Sequence, residues 1–238
     1  DRADAPALLL IAPTGGGKTL SGFLPTLVDL AEGGHEGMHT LYISPLKALA
    51  ADIKRNLTTP VTEMSLPIRI EDRTGDTSQT RKRRQRADPP HILLTTPESL
   101  ALLTSYEDAP RIFKGLKRVV IDEIHAYRGI FGSNVANVIR RLIRICSHYD
   151  AHPQFICCSA TISNPKELAE KMTGVSLNVV GGGDDGSPKG SKSFLLWNPP
   201  HLDESMVERR SANSDASNLM IELIRRLFPT IAFVRTRN

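Results

Sequence analysis

A glycine-rich segment near the start of the chain has the residue types and the spacing of a phosphate-binding loop. It reads APTGGGKT over residues 12–19 and stands between an apolar run and a segment of helical pattern. Glycines let the backbone curl so that successive N–H groups face an anion, and the following helix adds its positive end. We therefore predict that the phosphates of ATP bind at Thr14, Gly15, Gly16, Gly17, Lys18 and Thr19. Lys18 is expected to reach the β- and γ-phosphates, and the Thr19 hydroxyl to ligate Mg²⁺.

A pair of carboxylates, Asp122 and Glu123, ends the apolar run VVI about a hundred residues later. Phosphoryl transfer to water needs a metal ion that gathers negative charge and a group that orients the attacking water. We expect Asp122 to hold Mg²⁺ together with Thr19, and Glu123 to polarise the water. His125 is expected to sense the γ-phosphate or to link it to a neighbouring motif. Lys18, Asp122, Glu123 and His125 are thus the candidate catalytic residues.

Three further segments place polar groups at predicted strand ends. Two of them, SPLKALA from Ser44 and TTPESL from Thr95, pass from a strand end through a proline into a helix start, and the third is RTGD. Groups at such positions can bind backbone phosphates without reading bases, although plain helix capping explains the two proline segments equally well. Arg128 either contacts the bound strand or braces the acidic loop. The predicted nucleic-acid contacts are Pro45, Lys47, Thr74, Gly75, Thr96, Pro97 and Arg128.

The densest cluster of positive charge is the run RKRRQR at Arg81–Arg86. A solvated helix face is the preferred interpretation, contact with nucleic-acid phosphates is second, and a nuclear-import signal is third. The chain has a formal charge of +4 and a sequence pI of about 9.1, which permits nucleic-acid binding without arguing strongly for it. Aromatic residues make up only 5% of the chain, which disfavours a platform of stacked rings for single strands.

Short apolar runs alternate with helical patterns over the first 180 residues. This alternation predicts an α/β fold, with a mostly parallel sheet and helices on both of its faces. The motifs follow predicted strand ends, and ligands of such sheets bind beyond the carboxyl ends of the strands. The predicted strands are 7–12, 39–44, 68–74, 91–96, 117–122 and 154–159. The predicted helices are 18–31, 46–57, 97–105, 133–149 and 164–172.

The character of the sequence changes after Val180. Residues 181–192 are rich in glycine and predict a flexible stretch or a hairpin tip, and 201–216 are typical of a linker. The remaining predicted elements are a strand at 193–197, a helix at 217–227 and a strand at 230–234. Because one helix and one strand make no core, we expect the chain to stop inside a second domain. The predicted parts are 1–180 as the ATP-binding domain, 181–216 as hairpin and linker, and 217–238 as the start of the second domain.

Cysteine usage indicates a reducing compartment, and hydropathy indicates no membrane-spanning segment. The three cysteines form no C-x-x-C pair and have no zinc-ligand spacing, and Cys157 and Cys158 lie in an apolar run. No apolar run approaches the ~20 residues that span a bilayer, and the opening segment DRADAP is not a signal peptide. We therefore expect a cytoplasmic protein with no membrane partner.

The order of the motifs, APTGGGKT, SPLKALA, TGD, TTPESL, DEIH and SAT, resembles the superfamily-two helicases of the DExH kind over about the first 180 residues. Up to about His125 the chain is similar to the large helicase-related (Lhr) proteins. From Tyr127 onward it is similar to the mitomycin-repair type of helicase, a change that a recombinant, an assembled or a divergent sequence would produce. The resemblance implies a RecA-like P-loop domain. It also implies that Ser159 and Thr161 couple the state of ATP to the grip on nucleic acid.

For the whole protein, the resemblance implies ATP-driven translocation along a single-stranded or partly duplex nucleic acid, with unwinding, and it favours DNA over RNA. The family's adenine-reading segment and most of its second motor domain, with the arginines that complete the ATP site, are not found in the sequence. We therefore expect this chain alone to bind Mg-ATP weakly and to hydrolyse it slowly. The alternative is a nucleotide- and nucleic-acid-binding module without catalysis. A P-loop kinase would leave the SAT motif and the proline-led strand ends unexplained.

Overall fold

The computed structural model describes residues 6–13, 17–184, 186, 190–191, 193–201 and 209–233. The chain divides into two units, Asp1–Gly186 and Ser187–Asn238. Three residues of the predicted phosphate loop, Thr14, Gly15 and Gly16, lie outside the described part of the chain.

Seven strands form one sheet in the first unit. They are β1 (Ala7–Ile11), β2 (Thr40–Ile43), β3 (Ile70–Arg73), β4 (Ile92–Thr95), β5 (Arg118–Ile121), β6 (Gln154–Ser159) and β7 (Leu177–Val180). The order across the sheet is β3-β4-β2-β5-β6-β1-β7, and each of these pairings is parallel. The predicted α/β class with a mostly parallel sheet is therefore confirmed.

Helices connect these strands, as parallel pairing requires. They are α1 (Lys18–Ala31), α2 (Lys47–Glu63), α3 (Gln79–Ala87), α4 (Pro97–Leu103), α5 (Ala109–Phe113), α6 (Gly129–His148) and α7 (Pro165–Thr173). Proline opens α4 and α7, where its missing N–H leaves no hydrogen bond unmade. No helix in the described part of the chain combines the length and the apolar character needed to cross a membrane.

The sheet separates two apolar cores because successive side chains of a strand point to opposite faces. Leu41 and Ile43 of β2 pack on the face that Leu142 of α6 covers. Tyr42, between them, packs on the opposite face with Phe23 of α1. Both faces are thus covered by helices, and the carboxyl edge of the sheet is held between two buried layers.

Some elements of the first unit differ from the prediction. Helix α3 contains the basic run and confirms the helix expected there, but its arginines pair with Glu71 and Asp72 of β3 rather than facing only solvent. Neither α5 nor β7 was predicted, and only Leu177 of the edge strand β7 is buried. Helix α6 begins before its predicted start at residue 133. The helix begins at Gly129, and the Ser133 hydroxyl donates to the Gly129 carbonyl within the first turn.

The second unit contains helix α8 (Ala212–Arg225), which begins before the predicted start at residue 217. The predicted strand at 193–197 is wrong, and so is the described part, 230–233, of the last predicted strand. A strand needs a neighbour for its backbone groups, and the described residues of this unit form only one isolated bridge, His201 to Arg209. Trp197 contacts α8 instead, since its Nε1 donates to Asp215 Oδ2 at 3.1 Å.

Candidate functional site

The carboxyl edge of the sheet brings the phosphate loop, the acidic pair and the SAT motif together. Only β6 separates β1 from β5, so the segments that follow these three strands are neighbours. Ile11 at the end of β1 lies opposite Ser159, and Ile121 at the end of β5 lies opposite Cys157. Residues more than a hundred positions apart in the sequence therefore meet at one edge.

Lys18 stands in the first turn of α1 and is largely buried. Its Nζ donates to the carbonyl oxygens of Ala12 and Pro13, at 2.6 and 2.9 Å. Gly17, which precedes the helix, has a φ of 72°, in the left-handed region that favours glycine. The ammonium group thus points back into the phosphate loop, where phosphate oxygens would compete with two carbonyls for the same donor.

Thr19 and Asp122, the two predicted metal ligands, are in contact. The Thr19 hydroxyl donates to Asp122 Oδ2 at 3.2 Å. The Glu123 backbone N–H donates to the other carboxylate oxygen at 2.8 Å, and the Asp122 N–H donates to the Ile43 carbonyl at 2.9 Å. A hydroxyl and a carboxylate are hard oxygen ligands of the kind that Mg²⁺ prefers. These two residues therefore fit a magnesium ion, and Lys18 lies beside Thr19 on the same helix.

Tyr42 is a site residue that the sequence did not indicate. Its hydroxyl donates to Asp122 Oδ2 at 2.8 Å, and the residue is fully buried. Burial and the negative charge of Asp122 raise the pKa of the Tyr42 phenol, so that it stays protonated and donates. The apolar run TLYI predicted only core packing, and nothing in it indicated contact with a carboxylate 80 positions away.

His125 joins the acidic pair to the SAT motif. The Ala160 N–H donates to His125 Nδ1 at 3.3 Å, and His125 Nε2 lies 3.1 Å from Glu123 Oε2. A ring nitrogen that accepts a hydrogen bond carries no proton, so the geometry places the proton on Nε2, the nitrogen that lies beside the Glu123 carboxylate. Glu123 has a φ of 52°, a left-handed conformation that costs about 1–3 kcal/mol in a non-glycine residue.

The two predicted coupling hydroxyls do not make this link. Ser159 is buried, and its Oγ donates to the Ala160 carbonyl at 2.8 Å. Thr161 is exposed. The contact with the acidic pair comes from the backbone of Ala160, the middle residue of the motif, so a coupling role for the hydroxyls stays a prediction.

The predicted nucleic-acid contacts other than Arg128 follow β2, β3 and β4, which are adjacent on the other half of the same edge. Lys47 Nζ donates to both carboxylate oxygens of Asp76 at 2.9 Å, and both side chains are exposed. A Cβ added to Gly75 would lie 3.4 Å from the Lys47 ammonium. Pro45, two residues before Lys47, is half-buried. Lys47 and Gly75 therefore share one exposed surface, on which Asp76 neutralises the lysine.

Local hydrogen bonds account for the polar groups of the other candidates. The Thr74 N–H donates to Thr77 Oγ1 at 3.0 Å, and Thr96 Oγ1 donates to Ser99 Oγ at 3.4 Å. Pro97 is buried at the start of α4. Neither proline-led segment caps its helix with a side chain, because the N-cap residues Leu46 of α2 and Thr96 of α4 make no side-chain capping bond. Phosphate contact by Thr74, Thr96 and Pro97 stays a prediction.

Arg128 is exposed at the N-cap of α6. Within the described part of the chain its guanidinium group makes no hydrogen bond or ion pair. Bracing of the acidic loop, one of the two roles considered for it, is therefore not seen.

The basic run is mostly used inside the domain rather than forming a purely solvated face. Arg81 and Arg84 pair with Glu71 of β3, and Arg86 pairs with Asp108 at 2.9 Å. Burial opposes ionisation of Glu71, but the hydrogen bond from Gln85 and the charge of Arg84 hold its pKa below the ordinary value. The run therefore stabilises the end of β3.

A cavity of about 910 Å³ lies at the amino ends of the strands, and none of the predicted site residues lines it. Arg118 Nη1 pairs with Asp29 at 2.5 Å, and His39 Nε2 lies 3.6 Å from the same carboxylate oxygen. Burial, followed by the charges of His35 and Arg118, lowers the pKa of His39 to about 4. His39 is therefore neutral at pH 7, and this cluster belongs to the stability of the fold.

The sequence profile of the DEAD/DEAH box helicase family matches residues 4–168, which contain the phosphate loop, the acidic pair and the SAT motif. The chain belongs to the DEAD/DEAH box helicase family. The RecA-like fold that the sequence predicted is the fold of this helicase domain.

Named relatives give the position of the domain within the family. The uncharacterized ATP-dependent helicase YprA of Bacillus subtilis is 42% identical over 233 residues, which are 97% of this chain and 30% of YprA. The structure of the DUF1998 helicase MrfA bound to DNA and AMPPNP matches with a TM-score of 0.89 and 42% identity, over 98% of this chain and 32% of that one.

The helicase Lhr of Mycobacterium smegmatis, in a structure bound to ssDNA and AMP-PNP, matches with a TM-score of 0.71 and 34% identity, over 94% of this chain and 29% of that one. The predicted resemblances to Lhr-type and to mitomycin-repair-type helicases are thus confirmed, and each match extends over nearly the entire chain. The chain spans about a third or less of the length of these relatives.

Proposed function

We propose that this helicase domain binds Mg-ATP at the carboxyl edge of its sheet and, in the whole protein, hydrolyses it to drive movement along a strand of nucleic acid. The observation that carries the proposal is the contact between Thr19 and Asp122. It brings a hydroxyl from the phosphate-loop helix and a carboxylate from the acidic pair within reach of one metal-bound triphosphate. The structures of MrfA and Lhr, which contain AMPPNP, support the proposal that this domain binds ATP.

Binding depends on the glycine loop and on Lys18. Lys18 Nζ exchanges its two carbonyl partners for phosphate oxygens, since the negative charge of a phosphate attracts the ammonium group more strongly than a neutral carbonyl does. Thr14, Gly15 and Gly16 are proposed to contribute backbone N–H groups, with Gly17 leading into the helix. Thr19 and Asp122 would hold Mg²⁺, which neutralises charge on the phosphates when it is bound.

Hydrolysis is assigned to Glu123 and its link to the SAT motif. Its carboxylate lies 3.1 Å from His125 Nε2, and the other ring nitrogen of His125 accepts the Ala160 N–H. Glu123 orients the attacking water, and a shift of its carboxylate moves His125 and the segment after β6 with it. This chain of contacts connects the nucleotide to the backbone of Ala160, and a coupling role is proposed for the two hydroxyl residues that flank it, Ser159 and Thr161.

The strand is proposed to lie across the ends of β2, β3 and β4. Lys47 and Gly75 form the exposed part of that surface, and Pro45, Thr74, Thr96 and Pro97 complete the proposed contacts there. Arg128, which is exposed after β5, is a further proposed contact. The MrfA and Lhr structures are bound to DNA and to ssDNA, so DNA is the proposed partner. Contacts to phosphates rather than bases imply binding without sequence preference.

The test is ATP hydrolysis by a chain extended to the length of the relatives, measured alone and with single-stranded DNA, single-stranded RNA and duplex DNA. We expect single-stranded DNA to stimulate hydrolysis. Glu123→Gln should retain nucleotide binding and lose hydrolysis by at least about 100-fold, the range for removal of a general base. Equal hydrolysis by Glu123→Gln and the natural chain would show that the motor mechanism is wrong and would favour a binding module.

A further inference from the structure

Two hydroxyl groups converge on a single oxygen of Asp122. Thr19 donates to Oδ2 at 3.2 Å from the phosphate-loop helix, and Tyr42 donates to it at 2.8 Å from β2. Thr19 is only partly buried, whereas Tyr42 is fully buried, so Tyr42 approaches the carboxylate from the interior of the domain. It can orient Asp122, but from this position it has no access to a ligand.

We propose that Tyr42 is a positioning residue for the metal-binding carboxylate of Asp122. The inference rests on the proposed function, in which Asp122 holds the magnesium ion of Mg-ATP. Groups that hydrogen-bond to a metal-ligating carboxylate fix its direction, and their loss weakens metal binding by about 10- to 100-fold.

The surroundings of Tyr42 hold its hydroxyl in place. Its ring packs on Phe23 of α1, with the centroids 5.4 Å apart, and α1 also carries Lys18 and Thr19. Its neighbour in β2, Ile43, accepts the backbone N–H of Asp122 at 2.9 Å. Tyr42 therefore connects the phosphate-loop helix to the acidic pair, and both the backbone and the side chain of Asp122 are fixed against β2.

Tyr127 provides a matched control. It is also fully buried and lies in the same region, five residues after Asp122, but within the described part of the chain its hydroxyl has no hydrogen-bond partner. Burial raises the pKa of both phenols, so both hydroxyls are protonated at pH 7. Tyr42→Phe and Tyr127→Phe each remove one buried oxygen, and only the first removes a bond to Asp122.

The experiment is calorimetric titration of AMP-PNP into the 238-residue chain over a series of Mg²⁺ concentrations and in excess EDTA. Mg²⁺ is expected to increase the affinity for AMP-PNP. For Tyr42→Phe, the Mg²⁺ concentration that gives half of this increase should rise by about 10-fold or more, and the affinity in EDTA should be unchanged. Tyr127→Phe should match the natural chain in both. In an Asp122→Asn background, adding Tyr42→Phe should cause no further change. Thermal unfolding of each variant verifies that it is folded.

The outcomes separate this inference from the proposed function. If the natural chain shows no Mg²⁺-dependent tightening of AMP-PNP, the proposed function fails and the inference fails with it. If the natural chain tightens and Tyr42→Phe has the same Mg²⁺ midpoint, only the inference is overturned. If Tyr42→Phe loses the same AMP-PNP affinity with and without Mg²⁺, or loses further affinity in the Asp122→Asn background, the role of Tyr42 is purely structural. Either result would also overturn the inference.

Discussion

Thr19 Oγ1 and Asp122 Oδ2 lie 3.2 Å apart, although 103 positions separate the residues in the sequence. If both hold the magnesium ion, Thr19→Val, which keeps the shape and removes the hydroxyl, should abolish the tightening of AMP-PNP by Mg²⁺. Thr19→Ser keeps the hydroxyl and should retain most of the tightening. Calorimetry with and without Mg²⁺ measures both. Tightening by Mg²⁺ that survives in Thr19→Val would remove Thr19 from the metal site.

The ion pair between Lys47 and Asp76 predicts how this surface responds to mutation. The pair is exposed and contributes little stability, but it occupies a lysine proposed to contact phosphate. Asp76→Asn should therefore raise the affinity for a single-stranded DNA oligonucleotide. The slope of log affinity against log salt concentration should also steepen by about the amount expected for one additional phosphate contact. Fluorescence anisotropy over a series of salt concentrations measures both quantities.

Asp88→Asn is the control for this prediction, because Asp88 also forms an exposed ion pair, with Arg69, and its removal changes the net charge equally. Lys47→Ala should cancel the effect of Asp76→Asn in the double variant. An Asp76→Asn chain that binds DNA like Asp88→Asn would mean that Asp76 acts only through the net charge.

Gly132 in the first turn of α6 should not tolerate a methyl group. An added Cβ would lie 2.4 Å from the carbonyl oxygen of Tyr127, a backbone atom that cannot move alone. We expect Gly132→Ala to lower the free energy of unfolding by about 1–3 kcal/mol, although alanine normally favours a helix. Chemical denaturation measures it. Gly22→Ala in α1, whose Cβ would meet Cys158 Sγ at an ordinary 3.5 Å, is the control and should be neutral or stabilising.

His39 should make the fold sensitive to acid. Its pKa is about 4 in the folded chain against 6.5 for the free side chain. Between these values the unfolded chain binds a proton that the folded chain does not, so stability is fully present above pH 6.5 and falls as the pH drops towards 4. The loss from His39 is on the order of 3 kcal/mol. Chemical denaturation from pH 7 to 4 gives the free energy of unfolding as a function of pH, and this curve should be flatter for His39→Asn than for the natural chain. Parallel curves for the two chains would contradict this assignment.

Sequence patterns predicted the parts of this fold that carry a local signal. Continuous apolar runs predicted six of the seven strands, β1 to β6, and the glycines before Lys18 and the carboxylates after β5 predicted the two halves of the nucleotide site. The basic run predicted a helix for α3 but not its ion pairs, because the partners Glu71 and Asp72 lie in another element. The apolar segments at 193–197 and 230–233 were predicted as strands, but strand formation depends on a neighbour that local sequence does not reveal.

The contacts that tie the site together could not be predicted, because they depend on strand order. Tyr42 meets Asp122 only because β2 lies beside β5 in the sheet. Lys47 meets Asp76 only because β4 alone separates β2 from β3. In each case the residue type was visible in the sequence and its partner was not.

Binding of AMP-PNP to the 238-residue chain in Mg²⁺, compared between the natural sequence and Lys18→Ala, tests the nucleotide site most directly. Lys18→Ala should weaken binding by about 10- to 100-fold, the loss expected for charge-assisted hydrogen bonds to phosphate. Lys47→Ala, which removes a lysine from the proposed strand surface, should bind the nucleotide normally. Equal affinity of the natural chain and Lys18→Ala would contradict the account.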